Sequence, residues 1–200
     1  MKHDAASPAL MFHKPKGVVV TRRDERGRKT VYDLLPGWVR EEGWAPVGRL
    51  DQDSRGLLLF VRDGRLVQSL TRPGGFTRTY EVWVRGHVTA EHLARAIAGV
   101  PTALGMLRAT RIEARGGAAH KTRLLVELDE GKNRHIRRIF GALRDPGRGT
   151  PLKVLELKRT GFGPLRLDIA SGQWRFLTET EAAQLDEMRR TNLGRREPNA

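Results

Sequence analysis

The sequence predicts an α/β (α+β) fold in which helices flank a mixed, mainly antiparallel sheet. Three observations predict it. Short β-like runs recur along the 200-residue chain, helical patterns lie between only some of them, and the strands neither alternate strictly with helices nor form a pure meander. With 38% hydrophobic residues, a chain of this length can bury one sizeable core, so we expect a single domain.

The predicted strands are apolar and β-branched runs bounded by turn residues. They cover residues 17–21, 56–62, 79–85, 107–114, 123–129 and 152–159. Helices are predicted where apolar residues recur at a spacing nearer 3.6 than 2, at residues 90–97, 134–143 and 179–190. Polar ends that contain Pro or Gly indicate a flexible N-terminal tail at 1–9 and a flexible basic tail at 191–200, which leaves a domain at 10–190.

The charge of the chain indicates its partner. There are 37 Lys and Arg residues against 23 Asp and Glu, a formal charge of +14, which is typical of proteins that bind nucleic acid. The sequence has no Cys, which excludes disulfides, thiolate zinc sites and iron–sulfur clusters. It has no secretion signal and no apolar run of membrane-spanning length, so we expect a cytoplasmic protein without a membrane partner.

The stretch G-R-L-D-Q-D-S-R-G is the most unusual in the sequence. It places two carboxylates, Asp51 and Asp53, in a loop beside Arg49 and immediately before an apolar run. Gly48 and Gly56 would let the backbone turn tightly on both sides. Two charged side chains, which would be costly to bury, therefore stand next to a segment that we expect to be buried.

The residues alone leave three interpretations of this pair open. It can cap a helix or form a turn. It can bind Mg²⁺, although Arg49 and Arg55 disfavour a cation and the spacing suggests no third carboxylate. Alternatively, one Asp is a nucleophile or general base that a neighbouring cation keeps ionised. If the chain is extended here, Arg49 and Asp51 share one side and Leu50 turns into the core.

Four motifs in order resemble those of the pseudouridine synthases, in the branch that contains RsuA, RluB, RluE and RluF. They are H-K-P-K-G-V-V at 13–19, G-R-L-D-Q-D-S-R-G-L-L-L at 48–59, R-T-Y-E-V-W-V at 78–84 and D-E-G-K-N-R-H-I-R-R-I-F-G-A-L at 129–143. The stretch L-K-R-T-G-F-G-P-L-R-L at 157–167 extends the likeness. The resemblance implies the pseudouridine synthase fold, with an active-site cleft across the sheet.

The resemblance also implies the activity, which is isomerisation of a uridine to pseudouridine in ribosomal RNA without a cofactor or metal. Asp51 matches the catalytic aspartate of the family, and Tyr80 matches the tyrosine that stacks on the target base and is a candidate for proton transfer. Arg137 matches the basic residue that pairs with the carboxylate, and Arg49 matches the arginine that helps extrude the uridine. Whether Asp51 attacks ribose C1′, attacks the pyrimidine ring or opens an elimination route stays open.

A helical wheel of residues 134–143 is compatible with these roles. The apolar stripe contains Ile136, Ile139, Phe140 and Leu143, with Arg137 at its border, from which it can reach a carboxylate in a cleft. Arg134 and Arg138 face solvent or phosphate on the opposite side, and with Lys14 they are our candidate RNA-binding residues. We interpret Asp53 as a loop organiser and His135, which stands where the family commonly has Gln, as an uncertain substrate contact.

The K-P-K-G motif begins at Lys14, so we expect that the S4 RNA-binding domain of most relatives does not precede it. This resembles the RluE type, which implies 23S ribosomal RNA as the substrate, and we expect a monomer. The turn-rich stretch R-D-P-G-R-G-T-P at 144–151 is either an RNA contact or a connector. The rival hypotheses are a non-catalytic RNA-binding or ribosome-assembly protein on the same fold and, less favoured, a metal-dependent nuclease.

Overall fold

A computed structural model describes residues 9–118 and 120–194 of the chain. These residues form two compact units, which we treat in turn. Unit 1 holds the described residues up to Phe76 and from Gly161 onward, and unit 2 is Thr77–Thr160.

The strands are, in chain order, β1 (Ala9–Lys14), β2 (Ala45–Pro46), β3 (Arg55–Val61), β4 (Arg78–Arg85), β5 (Val100–Thr102), β6 (Gly105–Leu107), β7 (Arg111–Ala118), β8 (Lys121–Leu128), β9 (Lys153–Phe162), β10 (Leu165–Arg166) and β11 (Trp174–Phe176). The helices are α1 (Gly37–Glu41), α2 (Gly64–Thr71), α3 (Ala90–Ala98), α4 (His135–Gly141) and α5 (Glu179–Gly194), with a 3₁₀ turn at Val31–Leu34.

In unit 1, β1 lies between β11 and β3 and pairs antiparallel with both. Both faces of this sheet are covered. Leu57, Leu59 and Val61 of β3 belong to one buried cluster, while the Phe60 ring on the other face lies 5.7 Å from the ring of Tyr32. A strand buried on both faces needs apolar residues at every position, which explains the continuous run L-L-L-F-V.

In unit 2, β4 lies between β9 and β8, and β8 lies between β4 and β7. The pairs β4–β8 and β7–β8 are antiparallel. Side chains along β4 alternate between buried and half-buried positions, as expected for a sheet with one covered face. The apolar stripe of α4 is buried, as the wheel predicted: Ile136, Ile139, Phe140 and Leu143 are each at most 2% exposed.

The structure confirms the predicted fold class, since helices accompany strands that pair in a mainly antiparallel manner. It also confirms β3, β4, β8, β9 and the three predicted helices to within a few residues. Residues 17–21 are not a strand, because their backbone makes only an isolated bridge between Val19 and Thr30. The strand predicted at 107–114 is divided between the end of β6 and the start of β7.

The predicted ends of the domain differ slightly from the described elements. Ala9 is a buried residue of β1, and α5 continues to Gly194. The rest of the two predicted tails, 1–8 and 195–200, lies outside the described residues, and the single-domain organisation stays a prediction. No helix within the described part of the chain is long and apolar enough to cross a membrane.

Candidate active site

The loop that carries Asp51 is held in place by the residue at the end of β1. The Lys14 Nζ atom donates hydrogen bonds to the backbone oxygens of Asp51 at 3.1 Å, Ser54 at 2.8 Å and Pro15 at 3.0 Å. The Ser54 N–H also donates to the Asp51 oxygen at 3.0 Å. An ammonium group has three donors, and three carbonyl oxygens accept from it here. The backbone that follows the Asp51 side chain, from the Asp51 carbonyl to Ser54, is thereby fixed.

A second contact joins the Asp51 loop to the turn after Lys14. The Gly17 N–H donates to the Gln52 oxygen at 2.8 Å, and the Gln52 side-chain amide returns a bond to the Gly17 oxygen at 3.2 Å. Gly17 has φ +85°, a conformation that favours glycine. The K-P-K-G and G-R-L-D motifs are thus two halves of one structural unit.

The structure agrees with the local predictions for this loop. Gly48 and Gly56 have φ values of +74° and +120°, and Leu50 is 6% exposed. The Asp51 side chain is partly exposed, and Arg49 and Asp53 are exposed. A partly exposed carboxylate on a fixed loop can reach a substrate, whereas the backbone around it cannot easily move away.

The predicted role of Lys14 is wrong. We predicted an RNA-binding role, but its side chain is fully buried and its ammonium group is engaged by three carbonyl oxygens. Such a group cannot contact a phosphate on the surface. The structure assigns Lys14 to positioning the Asp51 loop.

Tyr80 lies in the middle of β4, opposite Val126 of β8, and is 6% exposed. It shares the buried face of its strand with Arg78, whose Nη1 donates to the Asp129 oxygen at 3.2 Å. Burial lowers the pKa of Arg78, and the neighbouring charge of Arg159 acts in the same direction. The phenol therefore lies in a buried and cationic part of unit 2.

Arg78 and Arg159 are candidate site residues that the sequence reasoning missed. Both are nearly inaccessible, at 6% and 2% exposure. Burying a guanidinium group is costly unless it meets compensating groups, and Arg78 meets the Asp129 backbone oxygen. The two side chains place positive charge beside Tyr80. Both stand in stretches that resemble the family motifs, R-T-Y and L-K-R-T-G, but these letters alone do not indicate that the arginines are buried.

Arg134 and Arg138, at the start of α4, differ in their exposure to solvent. Arg134 is exposed and has φ +53°, and it is the only residue other than glycine with positive φ in the described chain. Such a conformation is uncommon and is often found at functional sites. Arg138 is half-buried, and its Nε donates to the Asn133 oxygen at 3.0 Å, which stabilises this turn.

Arg137 lies at the border of the apolar stripe, as the wheel predicted, and is half-buried. Its Nη1 donates to the Val154 oxygen of β9 at 2.9 Å. This bond fixes the guanidinium group against the sheet of unit 2. The predicted pairing of Arg137 with Asp51, which belongs to unit 1, stays a prediction.

His135 is buried, and its Nε2 lies 3.1 Å from the Arg108 oxygen. Burial lowers the pKa of the imidazole below its usual 6.5, so the neutral form is favoured. A buried residue held by the backbone is structural, and this argues against a substrate contact.

The described residues contain no cluster of side chains that could bind a metal ion. Within 9–118 and 120–194, no three His, Asp or Glu side chains are placed to hold a metal ion. The Mg²⁺ interpretation of the D-x-D pair therefore finds no third ligand there. Taken one at a time, a carboxylate such as Asp51 can serve as nucleophile or base, a phenol ring such as Tyr80 as a stacking surface, and a guanidinium such as Arg137 as a counter-charge.

Comparison with known proteins agrees with this chemistry. The model of the family described as RNA pseudouridylate synthase matches residues 9–142. Ribosomal large subunit pseudouridine synthase B of Vibrio cholerae is 37% identical over 182 residues, covering 90% of this chain and 54% of its own length. The protein of the same name from Pseudomonas aeruginosa is also 37% identical over 182 residues, with 89% and 45% covered. The chain thus spans about half the length of the curated relatives it matches.

Solved structures support the same assignment. A crystal structure of a pseudouridylate synthase is 26% identical, with a TM-score of 0.74 over 90% of this chain and 74% of that one. An H/ACA ribonucleoprotein bound to a substrate RNA is 19% identical, with a TM-score of 0.57 over 80% of this chain and 49% of that one, and supports the fold alone. The narrower resemblance to the RluE type stays a prediction. The family model covers most of the chain, including the Asp51 loop, Tyr80 and Arg137, and the chain therefore belongs to the RNA pseudouridylate synthase family.

Proposed function

We propose that this protein isomerises a specific uridine to pseudouridine in ribosomal RNA of the large subunit, with Asp51 as its catalytic carboxylate. The observation that carries the proposal is the Asp51 loop, which Lys14 holds through three hydrogen bonds inside the segment that matches the family. The names of the relatives supply the substrate class.

The reaction rearranges bonds within one nucleotide. The N1–C1′ bond breaks, the base turns over, C5 joins C1′, the C5 proton leaves to solvent and N1 gains a proton. Atoms and electrons balance without an oxidant or reductant. We propose that Asp51 attacks C1′ or the ring, or abstracts a proton, that Tyr80 supplies an aromatic face and that Arg137 supplies a guanidinium counter-charge.

A uridine in folded RNA must first leave its stack. Extrusion costs a few kcal/mol, which stacking and phosphate contacts offset. We propose that Tyr80 contributes stacking worth about 1–3 kcal/mol. Arg49 and Arg134, which are exposed, are the proposed RNA contacts, with the outward donors of Arg138. A ribosomal RNA substrate implies action in the cytoplasm, and a monomer suffices for this scheme.

Release of tritium from [5-³H]uridine-labelled 23S ribosomal RNA tests the proposal. The wild type, Asp51→Asn and the matched control Asp53→Asn are compared with EDTA present. We expect release by the wild type and by Asp53→Asn, and a loss of at least about 10³-fold for Asp51→Asn, because a nucleophile or base has no substitute in an amide.

The same assay separates the rival functions. No release by any protein, with tight RNA binding retained on naked RNA and on assembly intermediates, would favour a non-catalytic RNA-binding protein. Strand cleavage that EDTA abolishes would favour a nuclease.

A further inference from the structure

The stretch R-D-P-G-R-G-T-P, residues 144–151, forms a closed loop after α4, which we call the 144–151 loop. The Asp145 N–H donates to the Thr150 oxygen at 2.9 Å, and the Gly149 N–H donates to the Asp145 oxygen at 2.8 Å. Arg144 Nη1 donates to the Gly149 oxygen at 2.7 Å. These bonds close the loop on itself, so internal hydrogen bonds fix its conformation and it is not a loose connector.

Asp145 ties this loop to the end of β4. Its carboxylate is buried and accepts from the N–H groups of His87 at 2.8 Å, Gly147 at 2.9 Å and Arg148 at 3.1 Å. These bonds, that of His87 first, lower the pKa of the carboxyl. The only carboxylate of the loop is therefore satisfied by backbone N–H groups of the loop and of His87.

Gly86 allows the close approach of the two segments. It has φ +109°, and a Cβ atom there would lie 2.6 Å from Leu152 Cδ2 and 2.7 Å from Asp145 Oδ2. Only a residue without a side chain fits between them. The 144–151 loop and the end of β4 thus pack as one piece.

Beside this junction lies an open cavity of about 520 Å³, lined by Arg85, Arg148 and Lys153 among others. All three side chains are exposed, and Lys121 stands opposite Arg85 in the β4–β8 pair. No carboxylate in the described part of the chain forms an ion pair with these three cations. Asp145 also lines the cavity, and its carboxylate lies close enough to Arg148 for their charges to interact. Because that carboxylate is already held by three backbone N–H groups, the exposed cations can still bind a phosphate.

We propose that the cations lining this cavity, Arg85, Arg148 and Lys153, form an RNA-backbone site that binds phosphates of the substrate RNA. The inference rests on the proposed function for the identity of the RNA, and it adds a contact to those assigned above. Arg85 ends β4, Arg148 lies on the closed loop and Lys153 begins β9, so all three are held by fixed backbone. Exposed cations on a fixed backbone bind a polyanion with little loss of conformational freedom. An open cavity suits a chain that passes across it better than a small enclosed anion.

The test removes two cations at the site. Arg148→Gln/Lys153→Gln is compared with Arg65→Gln/Arg95→Gln, which removes the same charge from exposed positions on α2 and α3. Binding of a labelled 23S ribosomal RNA transcript is measured at several salt concentrations, with all proteins carrying Asp51→Asn so that no turnover occurs. Urea unfolding confirms that each variant is folded.

We expect the site variant to bind about tenfold more weakly near 0.15 M salt, with a slope of log affinity against log salt shallower by about 1–2. The control should change affinity by less than about twofold. Equal affinity and slope in site and control variants would overturn the inference, as would weaker binding with an unchanged slope.

The result of the binding assay does not depend on catalysis, and an activity assay can be added to it. Tritium release by the same variants with Asp51 restored should show a raised KM and an unchanged kcat. If the wild type releases no tritium while the binding difference remains, the proposed function fails and the RNA-backbone site stands.

Discussion

Lys14 shows how one buried side chain can organise a candidate active site. The K-P-x-G motif suggests a surface lysine, yet this ammonium group ends among three backbone oxygens of two motifs that are far apart in sequence. Sequence patterns indicate which residues are unusual, but the direction of a side chain at a strand end depends on the fold around it. That is why the RNA contact predicted for Lys14 was wrong.

Replacing Lys14 with Met keeps the apolar stem and removes the three donors. Buried carbonyl oxygens then lose their partners, so we expect a loss of about 2 kcal/mol in the free energy of unfolding and a lower kcat. Urea unfolding measures the first effect. The exposed Lys29→Met is the control and should stay within about 0.5 kcal/mol of the wild type. Equal destabilisation of the two variants would contradict the positioning role.

His135 should make stability depend on pH. Burial lowers its pKa in the folded state below the 6.5 of the unfolded chain. The unfolded state therefore binds more protons below pH 6.5, so the contribution is full above about pH 7 and is lost as pH falls through 6.5 towards the folded pKa. Between the two pKa values the loss approaches about 1.4 kcal/mol per pH unit.

His135→Gln removes this titration and keeps an amide that can donate to the Arg108 oxygen. We expect the free energy of unfolding to fall less between pH 7.5 and 5.5 for this variant than for the wild type, as measured in urea. The exposed His87→Gln should behave like the wild type. A fall in His135→Gln as steep as that of the wild type would rule out this histidine as the cause.

At the scale of elements, predictability followed the strength of the local pattern. The run at β3 and the period of α4 were strong enough to predict both. The strand β1 was missed because its six buried residues, A-L-M-F-H-K, follow a polar tail and show no alternation. Residues 17–21 carry three valines and suggest a strand, but they pack as an irregular segment whose Val18, Val19 and Val20 are buried without a ladder. Whether such a segment forms a strand depends on pairing partners that are distant in sequence.

Some residues of the candidate site could be predicted from the sequence and others could not. Asp51, Tyr80 and Arg137 could be proposed because they stand in stretches that resemble the motifs of the family. The buried positions of Arg78 and Arg159 could not, since nothing in R-T-Y or L-K-R-T distinguishes a buried arginine from an exposed one.

The junction between β4 and the 144–151 loop gives a prediction for an element. Gly86→Ala places a Cβ against Leu152 and Asp145 at a positive φ, so we expect it to destabilise the protein by about 2–4 kcal/mol. Gly149→Ala also has positive φ, +64°, but open space around it, and should cost about 1 kcal/mol. Urea unfolding compares the two. Similar costs would mean that the close packing contributes little.

At the scale of the whole molecule, the formal charge of +14 predicts salt-sensitive binding. Affinity for 23S ribosomal RNA should fall about 100-fold or more between 50 and 200 mM salt, because phosphate contacts release counterions. Asp51→Asn should show the same slope, since a carboxylate contacts no phosphate. Fluorescence anisotropy at four salt concentrations measures both. A flat dependence would contradict electrostatic binding of the RNA backbone.

We propose that the Asp51 carboxylate, on the loop fixed by Lys14, enables this protein to convert uridine to pseudouridine. The proposal is tested by chromatography of nucleosides from digested 23S ribosomal RNA, after incubation with the wild type or with Asp51→Asn. We predict new pseudouridine approaching one residue per RNA molecule with the wild type and none with the variant. Pseudouridine formed equally by both proteins, or by neither while RNA binding is retained, would contradict the claim.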